Sequence, residues 1–122
     1  IIDVDRLSSA GDIDRLRRET QLMSLSKHTN VLRVRGEWML GSKLHIATRY
    51  LAPGSLLDII KYAYPGGFNE IVVATVLKQV LDGLVYLVKN GWIHRDIKAA
   101  NLLCDGSLNF TRSWLDCSAE TD

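Results

Sequence analysis

The chain has 122 residues, 47% of them apolar and 24% charged, which suits one soluble domain or a piece of a larger one. A formal net charge of +1 gives no reason to expect nucleic acid or an anionic membrane as partner, and no apolar run approaches the roughly 18 residues of a membrane span. Cys104 and Cys117 make neither a metal-spaced cluster nor a disulfide framework, which fits a reducing compartment and a cytoplasmic expectation; because the chain opens on Ile1, the lack of a signal peptide carries little weight.

Asp12 to Lys27 reads as a helix capped by Asp12, with Ile13, Leu16, Thr20 and Met23 at helical spacing. Glu19 falls beside that stripe, and the residues alone offer Arg15, one turn back, as its partner. Leu32, Val34 and Trp38 alternate with Arg33, Arg35 and Glu37. After a Gly41-Ser42 turn, Leu44, Ile46, Thr48 and Tyr50 share one face, which predicts an antiparallel hairpin. Pro53 and Gly54 break the pattern, and Ser55 can cap a short helix over Leu56 to Tyr62. Asn69 to Asn90 predicts a long, mostly buried helix. Its stripe is Ile71, Ala74, Leu77, Leu81, Leu84 and Leu87, widened by Val73, Val76 and Val80, with Gly91 as C-terminal cap.

Directly after that helix stands "HRDIKAAN", His94 to Asn101. A loop of this length can turn Asp96, Lys98 and Asn101 toward one small site. Phosphoryl transfer needs such a set: a carboxylate to take the proton of the attacking hydroxyl, a lysine to offset charge on the moving group, and an amide oxygen to help hold a metal ion on the phosphates.

The octet resembles the catalytic loop of the eukaryotic protein kinases, H-R-D-x-x-x-x-N, and Lys98 is similar to the serine/threonine type. With "RRETQLMS", "HTNVL", "GSLLDII" and "ATVLKQVLDGLVYL", the chain resembles the sterile-twenty-related branch, its oxidative-stress-responsive and germinal-centre members in particular, from Ile1 to about Asp105. The resemblance implies an α+β, incomplete protein-kinase fold: partial small lobe at 1–50, hinge at 51–54, partial large lobe at 55–105 and an off-pattern tail at 106–122. It implies ATP and Mg2+ as cofactors, a protein Ser/Thr hydroxyl as substrate, and association with another kinase as a further partnership. By it Asp96 is the catalytic base, Lys98 the phosphate-contacting lysine, Asn101 a magnesium ligand, Arg95 the residue that gathers a phosphorylated activation segment, and His94 a structural residue packing the loop. Glu19 matches the helix glutamate that pairs with a strand-three lysine. Thr48 matches the gatekeeper, and Arg49, Tyr50 and Leu51 match hinge positions whose backbone meets adenine. Ala47 and Leu103 are candidates to line the adenine pocket, and Asp58 lies where related kinases approach the ribose.

The sequence departs from the family pattern at two decisive places. No lysine and no Gly-rich loop precede Glu19, which would leave that carboxylate without its lysine. After the loop, "LLCDGSLNFTRSWLDCSAETD" replaces the short hairpin that leads to D-F-G, and Asp116, near the right distance, is followed by Cys117 and Ser118. Smaller departures are Val88 for a common His, Thr29 for a common Pro and Arg49 for a common hinge Glu. Two readings follow beside that of an active kinase segment. One is a catalytically dead interaction module, and the other a gene-model fragment without a role of its own. An incomplete sheet would present an open edge and an uncovered apolar face.

Overall fold

A computed structural model describes residues 1–93, 95–105 and 110–112. His94, Asn109 of an Asn-Phe-Thr glycosylation sequon, and Asp116 lie outside the described residues. The order is strand β1 (Ile2–Asp3), helix α1 (Ala10–Leu25), strands β2 (Val34–Leu40) and β3 (Lys43–Thr48), helices α2 (Leu56–Ala63) and α3 (Glu70–Lys89), and strands β4 (Leu102–Cys104) and β5 (Phe110–Arg112). The architecture is α+β, as expected.

Helix α1 starts earlier than Asp12. Its cap is Ser9, extended at φ −149°, whose Oγ accepts from the Asp12 N–H at 3.2 Å. The Ser9 hydroxyl in turn donates to the Asp12 carboxylate at 3.0 Å, so the aspartate buttresses the cap instead of forming it. Leu16, Thr20 and Met23 are buried as the spacing predicts, and Thr20 satisfies its hydroxyl on the Arg17 carbonyl at 3.0 Å. Ile13 stays exposed.

Strands β2 and β3 form the predicted antiparallel hairpin around Gly41, whose φ of +60° suits the tight turn. The register runs from Leu40↔Lys43 back to Gly36↔Ala47, then slips, so that Val34 faces Thr48 and Arg35 is the extra residue of a bulge. A third strand was not legible in the sequence. Ile2 and Asp3 pair with Leu44 and Lys43, giving sheet order β1-β3-β2 and covering part of the edge expected to be open. Trp38 and Leu40 on one face of β2 and Met39 on the other are all exposed.

Ser55 caps α2 through a reciprocal box: its Oγ accepts from the Asp58 N–H at 3.1 Å, and its own N–H donates to the Asp58 carboxylate at 3.3 Å. Asn69 caps α3 by accepting from the Val72 N–H at 3.0 Å, and Gly91 follows the helix at φ +79°. The buried side of α3 is Val76, Val80, Gly83 and Leu87. The expected stripe is therefore corrected: only Leu87 of its leucines is fully buried and Leu84 is partly so, while Ile71, Leu77 and Leu81 are exposed at 78%, 52% and 58%. By length and apolar content α3 could cross a bilayer, against the reading that no run comes near. An average over the helix absorbs Lys78, Gln79 and Asp82, which interrupt any continuous run.

Among the described residues, two clusters form the core. Met23, Val31, Leu32, Val34, Leu51 and Leu87 join α1 and the hairpin to the end of α3, and Leu56, Val76, Val80, Leu102 and Cys104 join α2, α3 and β4. The α1–β2 loop docks on α3 through the Lys27 N–H to Tyr86 Oη (3.1 Å) and Asn30 Nδ2 to Gln79 Oε1 (3.3 Å). A Cβ at Gly83 would stand 2.9 Å from the Asn30 carbonyl oxygen, which is why a glycine is needed inside this helix.

Candidate active site

The loop after α3 leads from the first core cluster, at Leu87 and Trp92, into the second, at Leu102 and Cys104. Leu102 and Cys104 are buried against Val76 and Val80, and the Cys104 N–H donates to the Gly54 carbonyl at 3.0 Å. Just before Leu102, Ala99–Asn101 make a short 3-10 turn that follows Lys98. Asn101 is 0% exposed. Its Nδ2 donates to the Asp96 carbonyl oxygen at 3.0 Å and to Asp96 Oδ2 at 3.1 Å. Lys98 Nζ stands 3.3 Å from the same Oδ2. The three side chains singled out from the octet thus converge on one carboxylate oxygen.

This network leaves one atom over. Asn101 Oδ1 is buried and has no hydrogen-bond partner. A buried amide oxygen without a donor costs about 1–3 kcal/mol, so the position suits an atom whose partner comes from elsewhere. An oxygen donor is the type that Mg2+ takes, and Mg2+ is held by few protein groups plus substrate phosphates. The donor set therefore fits the expected metal, with Asn101 as the residue that would hold it. Among the described residues there is no cluster of three His, Cys, Asp or Glu that would hold a metal by itself.

Arg95 has φ +143°, a conformation that L-residues rarely adopt, and it is exposed. Strain of this kind costs about 1–3 kcal/mol and gathers at functional loops.

The other expected residues are dispersed around this centre. Thr48 ends β3 half-buried, with its Oγ1 donating to the Arg49 carbonyl at 3.2 Å. Tyr50 is exposed and Leu51 buried in the first core cluster. Leu103 packs against that same cluster and pairs with Ser55 across an isolated bridge, which brings the start of β4 beside the hinge segment. Ala47 is half-buried opposite Gly36. Asp58 is occupied by the cap of α2, where it also receives the Ser55 hydroxyl at 2.7 Å.

Glu19 is paired, contrary to the expectation that it would lack a partner. Arg15 Nε donates to its Oε1 at 3.2 Å, the arrangement that the residues alone suggested. Burial against α1's apolar stripe pushes its carboxyl above the ordinary glutamate value of 4.5, and the Arg15 hydrogen bond and charge only partly offset that. Sequence reasoning missed Asp105, whose carboxylate lies 3.5 Å from Arg49 and ties β4 to the hinge segment. No local pattern announces a contact between residues so far apart in the chain. Buried Cys104 has its thiol pushed up by burial and by the Asp105 charge, which makes it a core residue and a poor nucleophile.

The protein kinase domain family matches residues 1–112. That span continues past the expected end of resemblance near Asp105 and takes in β5, which pairs with β4 as the short hairpin after the loop. The chain is 37% identical over 119 residues to the serine/threonine-protein kinase fray2 of Dictyostelium discoideum, covering 98% of this chain and 12% of that protein. It is 42% identical over 92 residues to MAP3K epsilon protein kinase 1 of Arabidopsis thaliana, 75% of this chain and 7% of that protein. With germinal center kinase 3 of Caenorhabditis elegans it shares 40% over 107 residues, 79% of this chain and 18% of that protein. The chain thus spans less than a fifth of each of these relatives. It belongs to the protein kinase family, as a segment similar to the serine/threonine kinases of the sterile-twenty-like branch.

Proposed function

We propose that this segment supplies the phosphoryl-transfer loop of a serine/threonine protein kinase that moves the γ-phosphoryl group of ATP to a protein hydroxyl. The observation that carries the reading is the convergence of Asn101 Nδ2 and Lys98 Nζ on Asp96 Oδ2, with Asn101 Oδ1 left without a partner. In this reading Asp96 accepts the proton of the Ser/Thr hydroxyl, and Asn101 fixes its direction through one hydrogen bond to the carboxylate and one to the Asp96 backbone carbonyl. Lys98 turns from Asp96 toward the transferring phosphoryl group and offsets its charge. Magnesium, when bound with the nucleotide, would neutralise charge on the phosphates, and Asn101 Oδ1 would be its contact with this loop. The hinge segment Thr48–Leu51, with Leu103, would receive the adenine, and Asp58 would lie toward the ribose.

The 122-residue chain by itself would transfer phosphate poorly, because its sequence holds neither a Gly-rich loop nor D-F-G, and these parts act as a unit. The test is transfer of labelled phosphate to a serine-containing protein by the longest native polypeptide carrying this segment. Asp96→Asn should abolish transfer while nucleotide binding persists. Turnover like the unmutated protein in that variant would remove Asp96 from the role of base.

A further inference from the structure

A cleft of about 300 Å³ opens between the end of α1, the α1–β2 loop, the first residues of β2 and the start of the hinge segment. Five of its lining residues are basic or imidazole: Lys27, His28, Arg33, Arg35 and Arg49. Among the described residues that line it, none is acidic. The concentration is local, since the whole chain carries a net charge of only +1.

The fold aims these groups deliberately. Arg33 and Arg35, on either side of buried Val34, are both exposed. The bulge at Arg35 takes that residue out of register with β3, beside the Val34–Thr48 pair that leads into Arg49. Arg33 is braced by its Nε, which donates to the Ser24 carbonyl at 3.2 Å and leaves the end of its guanidinium for another acceptor. His28 Nδ1 accepts from the Asn30 N–H at 3.0 Å, so its Nε2 carries the ring hydrogen as a donor. Arg49 shares its guanidinium with Asp105 at 3.5 Å. Among the described residues, Lys27 and Arg35 form no ion pair, although holding three arginines, a lysine and a histidine about one small cleft is electrostatically unfavourable without an anion.

We propose that this cleft binds a phosphorylated serine or threonine in an extended segment of a partner protein. Clustered guanidinium groups recognise phosphate through paired charge-assisted hydrogen bonds, and a space of about 300 Å³ admits a phosphorylated side chain and little more. A polyanion such as nucleic acid requires an extended positive surface, whereas this cleft is confined and the chain carries a net charge of only +1. The cleft is built from α1, its following loop and the hinge segment, and none of Asp96, Lys98 or Asn101 lines it.

The test is fluorescence anisotropy of the 122-residue chain with a labelled, otherwise neutral ten-residue peptide carrying one phosphoserine, beside the same peptide with unmodified serine. Arg35→Gln and Lys27→Gln are the variants, because both side chains are exposed and make no described bond whose loss would disturb the fold. The phosphopeptide should bind at least about tenfold more tightly than the serine peptide, and each variant should weaken it by about tenfold while melting like the unmutated chain. Inorganic phosphate should compete, and affinity should fall as salt rises. Equal binding of the two peptides, unchanged affinity in both variants, or equally tight binding of a single-stranded oligonucleotide or of anionic vesicles would overturn the proposal.

Discussion

The two sides of α3 have nearly the same hydrophobic character and opposite fates. Val76, Val80, Gly83 and Leu87 are buried, whereas Ile71, Leu77, Leu81, Val85 and Val88 are exposed. Spacing alone selects the larger leucines, and the observed buried side lies about one residue, or about 100°, around the helix from them. The direction is set by what packs on α3. The α1–β2 loop needs Gly83 for its approach at Asn30, and β4 needs Val76 and Val80 beneath it. An all-round apolar helix therefore takes its orientation from partners distant in sequence, and these decide where the loop that follows it will stand.

The largest effect expected from this contrast is at Leu87, which is 0% exposed and sits where α1, β2 and the hinge segment meet. Leu87→Ala should lower the unfolding free energy of the 122-residue chain by about 2–5 kcal/mol in urea titration. Gly83→Ala should come next, at about 1–3 kcal/mol of destabilisation, although alanine is the better helix former, because the added Cβ meets the Asn30 carbonyl oxygen. A stabilised variant would mean that the loop does not rest on the helix there. On the opposite side, Leu81→Gln should change stability by no more than about 0.5 kcal/mol and reduce aggregation, measured by urea titration and light scattering. A cost comparable with that at Leu87 would erase the distinction between the two sides.

The smallest effect probes the same principle on α1, where Glu19 stands beside buried Thr20 and Leu16. Its folded carboxyl titrates above the ordinary 4.5, so above that pH the unfolded chain ionises first. Stability relative to Glu19→Gln should therefore fall as pH rises from below 4.5 through the raised folded value, and then level off. A rise over that window in paired denaturation series would show that Arg15 outweighs burial.

What could be read from the sequence follows the range of the interactions involved. The hairpin, the Ser55 cap and the convergence of Asp96, Lys98 and Asn101 depend on residues a few positions apart, and each was legible. Strand β1 was not, because two residues carry no periodicity and Ile2 and Asp3 become a strand only by pairing with Leu44 and Lys43. The start of α1 was misplaced because Ser9 and Asp12 are both good caps, and only their reciprocal bonds show which one leads. The Glu19 partner shows the opposite hazard. The resemblance pointed toward an absent lysine, while the simpler one-turn pair with Arg15 is what the fold contains. The Arg49–Asp105 contact had no sequence signal at all.

The account's central claim is that the loop around Asn101 is built to serve a metal-bound nucleotide. The most direct measurement is the melting temperature of the 122-residue chain with ATP, with and without Mg2+, for the unmutated protein and Asn101→Ala. Removing the side chain also removes its bonds to Asp96, so each protein is compared with its own nucleotide-free melt. A magnesium-dependent rise that Asn101→Ala loses is the predicted result, since a ligand that binds only the folded state raises its stability. A rise of equal size without magnesium, or one that survives in Asn101→Ala, would contradict the claim.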